Sequence, residues 1–470
     1  MKAIAILVTV MLWGFGAHAA DFTSRTIAAE DRASLIVTEG TVRVPESRTG
    51  AASDSIELAV VRIARSTTPS ASAHVILAGG PGDSGVSLVL GLARRGGAPL
   101  LDMFDGDIVG IDQRGTGASV PNLRAPRAYG LPLDQPGTPQ AWLPLIEKTS
   151  REVAAEFSGR GIHLESYNTR ESADDIDAVR RALGYERITL WGRSYGSHLA
   201  LATLRRHAKT IERVILANPE GPDHTFKLPS EVDAVLERMD ELVAMDLLPL
   251  MRDVLGRLER APVHVEVPHP LTSQPVRVGI GRFDLQWLTA QALGDPRTAG
   301  TIPVAYLEMS KGDFHRVAQL VIVQRSRMGG ETAMKQMMDL SSGATAARRT
   351  RIEREAVRSL LGNAINFPLM SLGNAWGNPD LGDEFRQPVR SDVPVLILAG
   401  DLDPRTPVEN GRDIVKHLPN GHLVVLENAG HQFDLFGSPQ IRELLEQFLH
   451  GRKVTTRRLE VPAPRFTSPG

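Results

Sequence analysis

Ile188-Thr189-Leu190-Trp191-Gly192-Arg193-Ser194-Tyr195-Gly196-Ser197-His198-Leu199-Ala200-Leu201-Ala202-Thr203-Leu204 decides how the rest of the chain is read. An apolar run ends in Gly-Arg-Ser-Tyr-Gly, and a helical pattern begins at once. Strand, tight turn and helix in that order put Ser194 at the tip of the turn, the form of a Gly-x-Ser-x-Gly nucleophile elbow. In so sharp a turn, side chains at Gly192 and Gly196 would collide with the neighbouring strand and helix backbones. The serine is held in a strained conformation with its hydroxyl exposed above the sheet. The short pattern also arises by chance, so its meaning rests on the flanking elements and on partners elsewhere in the chain.

Upstream, Ser34 to Val44 and Ser55 to Ile63 read as strands, the second alternating through Ile56, Leu58 and Val60. His74 to Leu77 is a short buried strand that runs into Ala78-Gly79-Gly80-Pro81-Gly82-Asp83-Ser84-Gly85, followed by a helical stretch from Val86 to Arg95. Asp107 to Ile111 is a second buried strand ending in Asp112-Gln113-Arg114-Gly115-Thr116-Gly117. Pro121 to Pro144, rich in proline and glycine, reads as an excursion loop. Asp174 to Leu183 is an amphipathic helix with Ile176, Val179 and Leu183 on one face, stopped by Gly184. Beyond the elbow helix, which extends to His207, Arg213 to Asn218 is another buried strand. Continuous apolar strands alternating with helices indicate a mostly parallel sheet covered on both faces.

From about Glu220 to about Arg390 the pattern is mainly helical, with long amphipathic stretches at Ser230 to Arg260, Ile302 to Met328 and Ala344 to Leu361. Val263 to Ile280 reads as a hairpin turning near Leu271-Thr272-Ser273-Gln274. Alternation resumes with strand Val393 to Ala399, helix Val408 to Leu418, strand His422 to Leu426 and helix Gln440 to His450. The reading is therefore α/β, one domain interrupted by a large helical cap before its last two strands. The core spans 21–219 and 391–451, the cap 220–390, and a basic, proline-containing tail 452–470.

A serine hydroxyl needs a base beside it, and the base needs a third group to orient it. Both partners stand at strand ends after the cap, where ligand sites form in parallel sheets. The strand to Ala399 opens into Gly400-Asp401-Leu402-Asp403-Pro404-Arg405-Thr406-Pro407, and the strand to Leu426 into Glu427-Asn428-Ala429-Gly430-His431. Asp403 is the expected acid and His431 the expected base. Asp401 competes for the acid role, but lies nearer the strand end, where a side chain more often caps the loop. His198, His207, His417 and His422 read as packed or surface histidines. An oxyanion requires two backbone donors: Tyr195, following the nucleophile, and Gly80 in the Gly79-Gly80-Pro81-Gly82 loop. No Gly-Lys-Ser/Thr follows that loop, which argues against a phosphate cradle. Gly82-Asp83-Ser84-Gly85 is like the nucleophile motif of trypsin-like proteases, but that chemistry belongs to an all-β chain with His and Asp upstream.

Composition narrows the rest. The 470 residues carry 23% charged side chains and a formal net charge of −2, so nothing electrostatic points to nucleic acid or a membrane surface. The absence of cysteine excludes disulfides, thiolate metal sites and a cysteine nucleophile. No helical His/Glu pair suggests a metal, and no cofactor is expected. Lys2, the apolar run Ala3 to Gly16 and small residues at Ala17-His18-Ala19-Ala20 have the form of a secretory leader, cleaved near Ala19 or Ala20. The run is shorter than the roughly 20 apolar residues that span a bilayer, so export without a stable membrane anchor, to a periplasm or beyond, is expected.

Gly79-Gly80-Pro81-Gly82, Asp112-Gln113-Arg114-Gly115-Thr116-Gly117, Gly192-Arg193-Ser194-Tyr195-Gly196 and Gly400-x-x-Asp403-x-x-Thr406-Pro407 together resemble the α/β-hydrolase serine peptidase family of proline iminopeptidases and tripeptidyl aminopeptidases. The resemblance runs from about Val75 to about His450. It implies an α/β-hydrolase fold, a Ser194, Asp403 and His431 triad, an oxyanion hole from Gly80 and Tyr195, and Asp112-Gln113-Arg114 as a scaffold loop. Proline iminopeptidases usually carry His-Gly-Gly-Pro-Gly, and Ala78 stands here for that histidine. This, with the large cap, is closer to the tripeptidyl aminopeptidase-like branch. In these peptidases acidic cap side chains hold the substrate's free amino terminus. Glu220 is the candidate here, with Glu231, Glu237 and Glu241 as alternatives that a solvated helix face explains as well. The expected activity is aminopeptidase action on peptides. An esterase or lactone hydrolase with the same triad, and a non-catalytic relative used for binding, are the alternatives.

Overall fold

In the computed structural model, residues 9–10, 20–28, 34–49, 54–125, 127–327, 333–377 and 379–466 are described. Their strands are β1 (Thr9–Val10), β2 (Ala20–Ala28), β3 (Ser34–Pro45), β4 (Ser55–Ala64), β5 (Ala73–Leu77), β6 (Asp107–Ile111), β7 (Ile188–Ser194), β8 (Ile211–Pro219), β9 (Val263–Pro268), β10 (Pro275–Ile280), β11 (Val395–Gly400), β12 (Gly421–Glu427) and β13 (Arg458–Glu460). Eleven of them form one sheet in the order β1-β2-β3-β4-β6-β5-β7-β8-β11-β12-β13. The half from β6 to β13 is parallel, and β1 to β4 add an antiparallel wing through the β4–β6 pair.

Period-two alternation explains the two cores. Leu190, Val214, Val395 and Ile397 face one side of the sheet, where Ile176, Leu199 and Ile414 of three helices cover them. Trp191, Ile215, Leu396 and Leu398 face the other, against Val89 and Phe104 of helix Gly85–Phe104 and Leu444 and Phe448 of helix Pro439–Leu449. Strands buried on both faces cannot alternate with polar residues, which is why they read as unbroken apolar runs. The fold is the expected α/β-hydrolase arrangement.

The block between β8 and β11 is mainly helical and includes the β9–β10 hairpin, whose strands pair from Val263↔Ile280 to Pro268↔Pro275. Two long helical stretches are each broken in two. Ser230 to Arg260 becomes helices Pro229–Leu242 and Leu247–Arg260, and Ile302 to Met328 becomes Ile302–Ser310 and His315–Arg327, separated where Gly312 takes φ +92°.

Three expectations are corrected. Three strands, not two, follow the cap: in the segment read as tail, Arg458–Glu460 pairs in parallel with Val425–Glu427. That edge strand is short and polar, so it carries no apolar signal. The loop expected from Pro121 to Pro144 ends early, because helix Pro139–Gly159 starts inside it. Pro139 sits in the first turn, where its missing N–H costs nothing, and Thr138 caps the helix by accepting from Ala141 N. The sheet also has a β2 strand ahead of the first one expected. The leader reading falls on residues that lie, apart from Thr9, Val10 and Ala20, outside those described. Among the described residues no helix is long and apolar enough to cross a membrane.

Candidate active site

Strand β7 ends at Ser194, which takes φ +53° and ψ −130° before helix Tyr195–His207 begins. A non-glycine residue in the left-handed region is held there by its surroundings. The surroundings are the two glycines: a Cβ at Gly192 would lie 2.4 Å from the Gly196 carbonyl oxygen, and one at Gly196 2.3 Å from that of Leu77. Ser194 occupies the N-cap position, yet its hydroxyl makes no capping hydrogen bond. Ser197, one turn on, braces the elbow instead, donating to the Ser194 carbonyl and accepting from Glu220 N at 2.7 Å.

The loop after β5 packs directly on this turn. Leu77 is in register with Gly192, and a Cβ on Gly79 would sit 3.5 Å from that of Ser194. Gly80 has φ +105°, and a Cβ there would be 2.7 Å from Gly82 N. Tyr195 is the first residue of the elbow helix, so its N–H has no partner within the helix. Its ring is buried, with the hydroxyl 3.1 Å from Thr169 Oγ1.

Asp403 and His431 are brought together at the ends of β11 and β12. His431 Nδ1 lies 2.8 Å from Asp403 Oδ2. Asp403 is fully buried and accepts from Thr406 Oγ1 at 2.6 Å, from Arg405 N at 2.8 Å and from Thr406 N at 3.0 Å. Burial alone pushes its carboxyl up. The His431 ring and the donors of Thr406 outweigh that and hold it below the usual carboxylate range. Asp401 has the other fate. It accepts from Asn428 N at 2.7 Å, closing the loop after β12, and burial pushes its carboxyl up.

Ser194, Gly80 and His431 all line one cavity of about 1590 Å³ between the sheet and the cap. Trp287, Tyr306 and Phe367 of the cap also line it, together with Asp339. Glu220 lines it too, at the end of β8. Its Oε2 is bound by Lys227 Nζ at 2.5 Å, while Oε1 is buried with no hydrogen-bond partner. Burial pushes the Glu220 carboxyl up, but the Lys227 ammonium pulls it further down. The alternatives lie elsewhere: Glu231, Glu237 and Glu241 are on helix Pro229–Leu242 and do not line the cavity.

The remaining sequence motifs resolve as scaffold. Ser84 caps helix Gly85–Phe104 and donates to Asp112 Oδ1 at 2.6 Å. Asp112 also accepts from Val86 N and Ala118 N, and Arg114 is fully buried against Asp175. His198 lies behind the elbow, its Nδ1 donating to Gly221 O at 3.1 Å and its Nε2 accepting from Ser342 Oγ at 3.1 Å; burial keeps it neutral.

Two residues around the site escaped the sequence reading. Arg193, the variable residue of the elbow, donates to Phe433 O at 2.8 Å and stacks 5.0 Å over its ring, tying β7 to the loop of His431. Asn218, with φ +47°, bonds three backbone groups at the ends of β11 and β12. Only the unusual position of a polar residue near the end of a buried strand hints at it.

Residues 75–266 match the family described as alpha/beta hydrolase fold, and residues 369–458 the family described as TAP-like protein. The serine protease Hip1 of Mycobacterium tuberculosis is 23% identical over 457 residues, covering 88% of this chain and 85% of that protein. The tripeptidyl aminopeptidase of Streptomyces lividans is 23% identical over 445 residues, covering 87% and 81%. Among solved structures, the proline iminopeptidase of Mycobacterium smegmatis is 17% identical, with a TM-score of 0.41, covering 87% of this chain and 98% of that one. With its strand order and two family matches, the chain has the α/β-hydrolase fold, with an alpha/beta hydrolase segment over residues 75–266 and a TAP-like segment over residues 369–458.

Proposed function

We propose that the protein is an exported serine hydrolase that releases amino acids or short peptides from the amino termini of peptides, with Ser194 as nucleophile, His431 as base and Asp403 as the orienting acid. The observation that carries this is the buried His431–Asp403 hydrogen bond of 2.8 Å, on the wall of the cavity into which the elbow presents Ser194. Ser194 Oγ attacks the carbonyl carbon and His431 Nε2 takes its proton. Asp403 holds Nδ1–H and stabilises the imidazolium as it forms. The tetrahedral oxyanion is met by the N–H groups of Tyr195 and Gly80. His431 then gives its proton to the leaving amine, and water repeats the sequence on the acyl-enzyme.

Peptides are favoured over simple esters by two features. The names of the relatives are those of a protease and an aminopeptidase. The cavity is also lined by the acidic side chains of Asp339 and of Glu220, the latter paired with Lys227, together with Trp287, Tyr306 and Phe367, a combination suited to a peptide with a free ammonium. Kinetics on free-amino peptidyl anilides, the same anilides with a blocked amine, and aryl esters test the reading. Loss of cleavage on blocking the amine supports it. Ester turnover with no anilide activity replaces it with a carboxylesterase or lactone hydrolase, which the same triad would serve.

A further inference from the structure

Asn218 is next to last in β8, the strand beside β11, which leads to the proposed acid; β12, which leads to the proposed base, lies on the far side of β11. Its side chain is fully buried. Oδ1 accepts from Gly400 N at 2.9 Å, where β11 runs into the loop of Asp403. Nδ2 donates to Gly430 O at 3.1 Å and to His431 O at 2.9 Å, in the loop after β12. The amide orientation is fixed by its partners: reversed, it would set an oxygen against two carbonyls and an NH2 against an N–H. β8 pairs with β11, and β11 with β12, so the acid's strand lies between Asn218 and the base's loop. The side chain spans that gap with no other group intervening in its hydrogen bonds.

The backbone supplies a second observation. Asn218 has φ +47°, a left-handed conformation in which glycine is at ease and asparagine is merely tolerated. Were the position chosen for its turn alone, glycine would serve it better. Glycine, however, has no amide with which to bond Gly400, Gly430 and His431. Among the described residues no other group donates to the His431 carbonyl, and the imidazole inherits any displacement of that backbone.

We infer that Asn218 is a positioning residue for the acid–base pair, a single amide that sets the loop of His431 against the loop of Asp403. The inference rests on the Ser-His-Asp reading above and is independent of whether the substrate is a peptide or an ester. It differs from the role of Arg193, which grips the same loop two residues further on, at Phe433.

The test is saturable inactivation by a fluorophosphonate, which reports attack by Ser194 assisted by His431 without reference to substrate class. Asn218→Gly and Asn218→Ala are compared with the wild-type chain, each first checked for folding by circular dichroism and thermal melting. Both variants lose the amide, and only alanine carries the cost of the left-handed backbone. Expected is a fall in kinact of about 10- to 100-fold in both, with KI near its wild-type value, and a Tm for the glycine variant at or above that of the alanine variant. A glycine variant that inactivates at the wild-type rate overturns the inference, because the position is then only a turn. A glycine variant that fails to fold also overturns it, because the amide then belongs to the scaffold. Failure of the underlying triad reading looks different: the wild-type chain itself does not react.

Discussion

His431 Nδ1 and Asp403 Oδ2 are 2.8 Å apart, and the same carboxylate oxygen accepts the Thr406 hydroxyl at 2.6 Å. A carboxylate so placed holds the imidazole in one tautomer, with Nδ1 protonated and Nε2 left to act as a base. Asp401, two residues earlier, spends no contact on the ring and instead accepts from Asn428 N. Replacement of Asp403 by Asn is therefore expected to lower kcat by roughly 10³- to 10⁴-fold, with the fold kept. Asp401→Asn should cost less than about tenfold in kcat and act mainly on thermal stability. Steady-state rates and melting curves of the two variants, measured together, check the assignment; the reverse ranking moves the acid to Asp401.

The elbow leaves no room for a methyl group. A Cβ at Gly196 would lie 2.3 Å from the Leu77 carbonyl oxygen and 2.9 Å from that of Ala78, both backbone atoms of the neighbouring strand and loop. Gly196→Ala is expected to destabilise the protein by about 2–4 kcal/mol and to reduce activity even in the fraction that folds, since relief requires β5 and the Gly79–Gly80 loop to move. Chemical denaturation gives the first number and active-site titration of the folded fraction the second.

The buried Glu220 and the partly exposed Lys227 form an ion pair at 2.5 Å on the wall of the cavity. Removing the cation alone leaves the buried Glu220 carboxylate without its counter-ion, an outcome costing on the order of 3 kcal/mol. Lys227→Met is expected to be destabilised by about that amount, and the double variant with Glu220→Gln to recover most of it. A double-mutant cycle by denaturant melts measures the coupling. The single variants of that cycle, assayed on free-amino and blocked anilides, also show whether Glu220, whose Oε1 accepts no hydrogen bond, contributes to amine recognition.

Glu231 provides a pH signature of the cap. Burial pushes its carboxyl up to about 7, against an ordinary value of 4.5, with Arg348 and Arg351 opposing the shift and Glu409 and Glu355 adding to it. Between those two values the folded chain holds a proton that the unfolded chain has lost. Stability due to this group is therefore fully present below pH 4.5 and falls as pH rises to about 7. Glu231→Gln removes that slope. Relative to wild type, the variant should gain roughly 2 to 3 kcal/mol between pH 5 and pH 8, read from urea melts at the two values. An unchanged difference between the two pH values contradicts the assignment.

The candidate site was legible in the sequence because its signals are local. Ser194 ends an apolar strand, Asp403 and His431 stand in the loops that follow two others, and glycines or a threonine beside each mark a sharp turn. Strands buried on both faces announce themselves by composition alone. What escaped had no such signature. β13 is Arg-Leu-Glu, an edge strand that lines up with β12 only after the chain has folded around helix Pro439–Leu449. Helix Pro139–Gly159 was hidden by its prolines, since Pro139 marks a helix start as readily as a loop and Pro144 lies inside the helix. Asn218 and Arg193 act across 182 to 240 residues of sequence, so no spacing rule connects them to the groups they hold. Lys227 is likewise an ordinary lysine until the chain after β8 turns back on Glu220.

The central claim is that Ser194 is the nucleophile, and peptide mapping after treatment with a fluorophosphonate tests it most directly. The account predicts one adduct per chain, on Ser194, formed at least about 10³-fold more slowly when His431 is replaced by Ala. An adduct on Ser84, whose hydroxyl the structure gives to Asp112, or no adduct on the wild-type chain, would contradict it.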